Sequence, residues 1–382
     1  MPGFQRPKEV VRIVWKSAAA WPLGYSRHST QILLALKKLG AHIAYRFVYK
    51  DSIVSGHFEE PSKTGNQTID EMKENVDDPE WPQIVCASAD LFDRNTGKYK
   101  IGYATTEVNG IPDEWVRAAN RMDEVWVLSA FNQTAFAKCG ALRPIFIMPA
   151  GVDPDIFNPT VPAVPIDNAF VFLSIFEWAE RKAPEILLRA FNAEFKRRED
   201  VILFFKILVP PWASFDVPAA VDDLHLSPTG GRVIIDLGTY LPARELGSLY
   251  RSADCFVLPT RGEGWGLPIY EAMACGLPVI ATNWSAPSEY LSDQIAYPLR
   301  ITRLVTAMDG KYPYCGYQWA EPDQEHLRHL MRHVYEHQAE AREKGRRASE
   351  FVLSSLTWQH AAARIMDRLA DIHRHFDTPS AP

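Results

Sequence analysis

Apolar positions along this chain follow two alternating rhythms. Short runs rich in β-branched and aromatic residues read as strands: VRIVW (11–15), HIAYRFV (42–48), QIVCA (83–87), KIGYAT (100–105), EVWVLS (124–129) and PIFIMP (144–149). Amphipathic stretches separate several of them. One, STQILLALKKLG (29–40), predicts a helix capped by Ser29 and stopped at Gly40. This alternation predicts a parallel sheet covered by helices. The segment 50–80 is polar and acidic and predicts a surface excursion.

Residues 149–165, PAGVDPDIFNPTVPAVP, hold five prolines and suit neither a helix nor a central strand. Beyond them the alternation resumes with strands at 170–176, 201–208, 232–238, 255–260 and 278–282, and helices at 184–195 and 243–253. Helical segments at about 323–349 and 358–375 and a disordered-looking DTPSAP close the chain. The expected fold class is α/β, with two doubly wound Rossmann-like domains facing across a cleft. The first covers 1–155 and the second 156–350, while 351–382 supplies a helix crossing back to the first domain, with Trp358 anchoring it, plus a tail. Ligands of such sheets bind beyond the carboxyl ends of the strands.

Composition narrows the partners more than the fold. At 382 residues and 47% hydrophobic, the chain can fill two cores, and a net charge of −6 does not advertise nucleic acid or an anionic membrane. Lys37 and Lys38 leave room for at most peripheral membrane contact. There is no apolar run of membrane length, and the first fifteen residues lack the apolar core of a signal peptide. Five cysteines without metal-type spacing read as reduced thiols, and the expected location is cytoplasmic.

Candidate chemistry gathers in RGEGWGLPIYEAMACGLPVIAT (261–282). A strand runs into three glycines, Gly262, Gly264 and Gly266, which permit a tight turn and close approach of a ligand. Pro268 then opens a helix whose first amides suit a phosphate, and Gly276 ends it. Glu263 lies in the loop and Glu271 eight positions on, across the helix start. Hydroxyl acceptors on both sides of a phosphate cradle describe a sugar, a diphosphate and a ribose. A capping carboxylate, worth ~1 kcal/mol through the helix dipole, explains Glu271 alone.

This motif resembles the signature of the family 4 retaining glycosyltransferases of GT-B fold. The segments 237–260, 124–140 and 147–159 are similar to other parts of that family. The resemblance implies that Glu263 binds the donor sugar and Glu271 the ribose, with Gly264 and the amides of Trp265, Gly266 and Leu267 lining sugar and phosphate. Lys182 matches the family's phosphate-binding lysine. The family's arginine six residues earlier is replaced by Phe176, beside Glu177, so Arg181 is expected to stand in. Gly24 matches a loop used against the donor phosphates, where Arg27 can reach the diphosphate or an acidic acceptor. Glu107 stands at the strand end where the family often has a histidine and is a candidate to orient an acceptor hydroxyl, like Arg27 on the acceptor side. The implied activity is transfer of a sugar from a nucleotide sugar to an unidentified hydroxyl acceptor with retention, without metal or cofactor. The alternatives are an epimerase of the same fold and a non-catalytic nucleotide-sugar binder. His28 is expected to be a surface or capping residue, Asp153 and Asp155 part of the linker, and His326, His329, His333 and His337 a solvated helix face. Cys275 is expected to serve helix packing.

Overall fold

A computed structural model describes residues 10–19, 24–49, 60–208, 216–238 and 241–376. The tail at 377–382 and part of the polar segment, 50–59, lie outside the described residues. The first six strands are β1 (Arg12–Ser17), β2 (His42–Phe47), β3 (Gln83–Cys86), β4 (Lys100–Ala104), β5 (Glu124–Val127) and β6 (Ile145–Ile147). They form one parallel sheet in the order β2-β1-β3-β4-β5-β6. The second sheet is built from β7 (Phe170–Glu177), β8 (Val201–Leu208), β9 (Arg232–Gly238), β10 (Cys255–Leu258), β11 (Val279–Thr282) and β12 (Tyr297–Leu299). Its order is β12-β11-β10-β7-β8-β9, again parallel throughout. Both sheets are crossed by helices, as the alternation requires.

Those helices are α1 (Gly24–Lys38), α2 (Gln67–Glu74), α3 (Asp113–Asn120), α4 (Ala130–Lys138), α5 (Pro184–Glu194), α6 (Val217–Asp222), α7 (Ala243–Arg251) and α8 (Leu267–Ala274). At the C-terminal end follow α9 (Gln324–Glu336), α10 (Gln338–Ser355) and α11 (Trp358–Phe376). Three boundaries differ from expectation. Helix α1 starts at Gly24, not Ser29, because Ser26, His28 and Ser29 are buried and packing holds an extra turn. The Ser29 hydroxyl accepts from Trp15 Nε1 at 2.9 Å inside the core. Within the acidic excursion α2 forms, since Asn66 caps the Ile69 amide and Ile69 and Met72 are buried. The helical segment at 323–349 is two helices parted at His337.

The sequence pattern did not reveal an antiparallel hairpin, β13 (Ile301–Thr306) and β14 (Gln318–Pro322), between the second sheet and α9. It leans on the first domain. Asn109 and Gln318 exchange backbone and side-chain bonds at 3.0 and 2.8 Å, and Trp115 Nε1 donates to the Tyr312 hydroxyl at 2.9 Å. Glu289, near β11, caps the amides of Ala130 and Phe131 at the start of α4. Helix α11 packs on α1, and Arg368 on it reaches the fully buried Glu124 of β5 at 3.1 Å. Where the chain passes between domains, Val152 N donates to Leu356 O at 3.0 Å and Trp358 N to Val152 O at 3.1 Å. A Cβ on Gly151 would lie 2.3 Å from Thr357 C, so the two passages touch.

Candidate functional site

In the second sheet the order in which strands are added reverses between the parallel, hydrogen-bonded neighbours β7 and β10. The loops leaving such neighbours diverge and leave a crevice at their carboxyl ends. Here the crevice widens into a cavity of about 970 Å³ with walls from both domains. The β7 loop carries a single turn, Glu180–Lys182, that ends in a left-handed Ala183 (φ 50°) before Pro184 starts α5. The β10 loop carries Gly262 and Glu263. These two loops bring together three of the residues singled out in the sequence.

Lys182 Nζ lies 2.5 Å from Glu263 Oε1, and Arg181 lies 3.4 Å from Glu263 Oε2. Arg181 also donates to Gly262 O at 2.7 Å and stands 3.7 Å from Glu107, across the cleft. Glu263 is only 5% exposed. Burial alone would push its carboxyl up, but the charges of Lys182 and Arg181 outweigh that and hold it below the usual range. Burial pulls the Lys182 ammonium down, helped by Arg181 and only partly offset by Glu263. Burial also opposes the charge on Arg181, yet Glu107 and Glu263 override it and raise its pKa. The cluster holds two cations and two carboxylates, so it is self-neutralised.

Helix α8 begins at Leu267 after Gly266, which takes a left-handed φ of 92°, with Pro268 in its first turn. Pro268 has no amide hydrogen and the Ile269 amide donates to Gly266 O at 2.9 Å, so among the first three residues only the Leu267 amide is left without an intrahelical partner, and Gly264 to Pro268 line the cavity. One turn on, Glu271 is 3% exposed. Its two oxygens are taken by Arg27 of α1 at 2.9 Å and the Tyr250 hydroxyl of α7 at 2.9 Å. Burial pushes the Glu271 carboxyl up, with Arg27 and Tyr250 pulling against it. Arg27, expected to reach the diphosphate or an acceptor, is instead paired with Glu271, its guanidinium 5.1 Å from the Phe157 ring centre. Gly24 lines the cavity at the start of α1.

Two glycines have a different physical reason from the expected one. A Cβ on Gly264 would lie 2.1 Å from Thr105 Oγ1, and one on Gly262 would lie 2.1 Å from Glu107 O. What approaches them closely is the first domain, seated on the loop. Trp265 lines the cavity and is buried, its ring stacked on Tyr270 at 5.0 Å.

Sequence reasoning missed Tyr250, whose position on an amphipathic helix signals only packing. It also missed Tyr314, from the unforeseen hairpin, which interacts with Arg181. His28 is a correction: it is 5% exposed, wedged against Tyr103 and Trp358 at 5.1 and 5.5 Å between ring centres, because the extra turn of α1 carries it inward. Neither of its ring nitrogens has a hydrogen-bond partner, and burial lowers its pKa to about 3. Phe176 is buried in the cavity wall where the family arginine was sought. His329 and His337 are exposed, and among the described residues no cluster of three acidic, histidine or cysteine groups can hold a metal.

Residues 167–308 match a family described as Glycosyl transferases group 1. A D-inositol 3-phosphate glycosyltransferase of Paenarthrobacter aurescens is 30% identical over 234 residues, which are 58% of this chain and 50% of the relative. The chain thus spans about half the length of the curated relatives it matches. Among solved structures, sucrose-phosphate synthase from Thermosynechococcus elongatus superposes with a TM-score of 0.69 at 15% identity, over 96% of this chain and 100% of that one. Anabaena HepE in complex with UDP-glucose gives 0.65 at 14% identity, over 94% and 99%. At such identities the likeness is one of fold, and the fold is GT-B.

Proposed function

We propose that the chain, whose residues 167–308 match the group 1 glycosyl transferases and whose fold is GT-B, is a family 4 glycosyltransferase that moves a hexose from a nucleotide sugar to an acceptor hydroxyl, with retention and without a metal. The observation that carries this reading is the pair of buried carboxylates flanking the start of α8, each held by groups that a donor can displace or share. The ribose diol takes the place of Arg27 on Glu271. The diphosphate lies over the start of α8 with Lys182 and Arg181, and Glu263 accepts hydroxyls of the hexose. Glu107 orients the acceptor. HepE, a neighbour in fold, binds UDP-glucose, which supports a nucleotide-sugar donor.

In the reaction the bond between the anomeric carbon and the phosphate oxygen breaks, and its electron pair stays on the phosphate. The acceptor oxygen bonds to the same face of that carbon while its proton passes to the leaving phosphate oxygen. Lys182 and Arg181, drawn from Glu263 and Glu107 onto the diphosphate, and the amide at the start of α8 then oppose this charge, which supports a metal-free step. The five free cysteines, three of them buried, support a cytoplasmic setting.

The test is release of nucleoside diphosphate from a panel of nucleotide sugars in EDTA, by wild type and Glu271→Ala, with the product anomer read by NMR. Release that survives EDTA, preserves configuration and is lost in the variant is expected. Sugar conversion without release would instead make the protein an epimerase, an inverted product would remove retention, and loss in EDTA would remove the metal-free step.

A further inference from the structure

The turn Glu180–Lys182 carries both cations of the site and ends in Ala183, whose left-handed backbone (φ 50°, ψ 47°) alanine disfavours, so its surroundings must hold it. Two of the turn's ties, Lys182 and Arg181 to Glu263, are given up when those cations move onto a diphosphate. A second set of ties comes from Arg261, two residues before Glu263. Arg261 is 7% exposed and is not among the described residues that line the cavity. Its guanidinium spreads over three segments. Nη1 donates to Glu180 O, Nη2 to Glu185 Oε1 in the first turn of α5 at 2.6 Å, and Nε to Glu321 Oε2 on β14 at 2.9 Å. Glu180 and Glu185 lie on either side of Ala183, so one planar group clamps both ends of the left-handed bend. The backbone completes the grip. Arg261 N donates to Arg181 O at 2.7 Å, the Thr260 hydroxyl to the same oxygen at 3.1 Å, and Arg261 O accepts from Ala320 N of β14 at 2.9 Å.

Resting on the proposed nucleotide-sugar reading, we propose that Arg261 is a positioning residue: it touches no part of the donor and fixes the turn that aims Lys182 and Arg181 at the phosphate carrying the hexose. Both cations contact Glu263, which takes the hexose, whereas Glu271 takes the ribose. The phosphate they oppose is therefore the distal one, from which the sugar leaves. A guanidinium suits this role because its donors lie in a fixed planar fork, so bonds in three directions set one geometry. A lysine at the same place keeps the charge and loses the fork. The bonds made by the Arg261 and Thr260 backbone and hydroxyl remain in such a variant, so it isolates what the side chain does.

The experiment is calorimetric titration of UDP, GDP, CDP and ADP, each beside its monophosphate, into wild type, Arg261→Lys, Glu185→Ala and Glu271→Ala, with melting curves to establish that each is folded. Wild type is expected to bind at least one diphosphate more tightly than the matching monophosphate, because the cations oppose the distal phosphate. Arg261→Lys should weaken that diphosphate about tenfold and leave the monophosphate within about threefold, so that the preference for the second phosphate collapses. Glu185→Ala removes one arm of the clamp at a partly exposed carboxylate and should shift the preference the same way by about threefold. Arg261→Lys decides the matter where it folds, and Glu185→Ala decides it where Arg261→Lys does not. An arginine with a structural role alone weakens both nucleotides in the same proportion. That result, an unchanged preference in the deciding variant, or equal affinity for diphosphate and monophosphate in wild type overturns this proposal alone, provided diphosphate binding is lost in Glu271→Ala. Absence of binding by all four diphosphates in wild type overturns the nucleotide-sugar reading and this one with it.

Discussion

His28 makes the fold sensitive to mild acid in a way that can be worked out from its surroundings. Its ring is buried between Tyr103 and Trp358 without a hydrogen-bond partner, and burial takes its pKa from 6.5 to about 3. The folded protein therefore binds fewer protons than the unfolded chain between those values. Stability conferred by the neutral ring is complete above 6.5, is lost as pH falls below it and stops falling near 3. At pH 5 the loss amounts to about 2 kcal/mol, from 1.5 pH units at 1.36 kcal/mol each. His28→Leu removes this term. At pH 7 the substitution should be close to neutral, because relief of about 1–3 kcal/mol from unpaired buried nitrogens offsets lost ring-edge contacts of about 0.5–1.5 kcal/mol each. Urea unfolding at pH 7 and pH 5, followed by Trp fluorescence, gives the comparison. Wild type should lose about 2 kcal/mol more than the variant across that interval. Identical pH dependence in the two proteins, or a His28 ring that titrates near 6.5 by NMR in the folded state, refutes the reasoning.

Other substitutions test the site itself. Lys182→Ala leaves Glu263 buried without its closest cation and should cost about 3–5 kcal/mol of stability together with donor turnover; adding Glu263→Gln should restore melting temperature but not turnover. Gly264→Ala drives a methyl into Thr105 and should reduce donor affinity and push the two domains apart at this loop, read by small-angle scattering, with partial recovery in combination with Thr105→Gly. Tyr312→Phe removes the bond from Trp115 and should lower stability by about 1 kcal/mol in thermal unfolding. Glu271→Ala should weaken nucleoside diphosphate binding by at least tenfold, since hydroxyl bonds to a charged group contribute about 1.5–3 kcal/mol each.

How far the sequence revealed all this depends on the range of the interaction. The strands were legible because β7, β8 and β10 are buried on both faces and read as unbroken apolar runs. Glu263, Glu271 and Lys182 were legible because each sits at a fixed offset from a strand end or helix start. Partners from the opposite domain were not, because no local spacing encodes them: Arg27 on Glu271 and Thr105 over Gly264 exist only once two separately folded sheets meet. The hairpin escaped notice because β13 is mostly exposed and shows no apolar alternation. His28 was misjudged because a polar residue near an apparent helix start looks like a cap until the helix proves one turn longer.

The two chain passages between domains are hydrogen-bonded to each other at Val152. Two independent tethers would let the halves slide, twist and separate in several directions. Two tethers clasped at one point act as a pin, and the motion left to the halves is mainly a swing about it. Contacts beside the pin, His28 on Trp358 and Arg27 over Phe157, change least for a given swing. The displacement is taken up instead where Thr105 and Glu107 press on the glycine loop. A cleft hinged in this way would behave as a jaw, holding nearest the axle and parting first at the edge where the glycine loop meets the first domain.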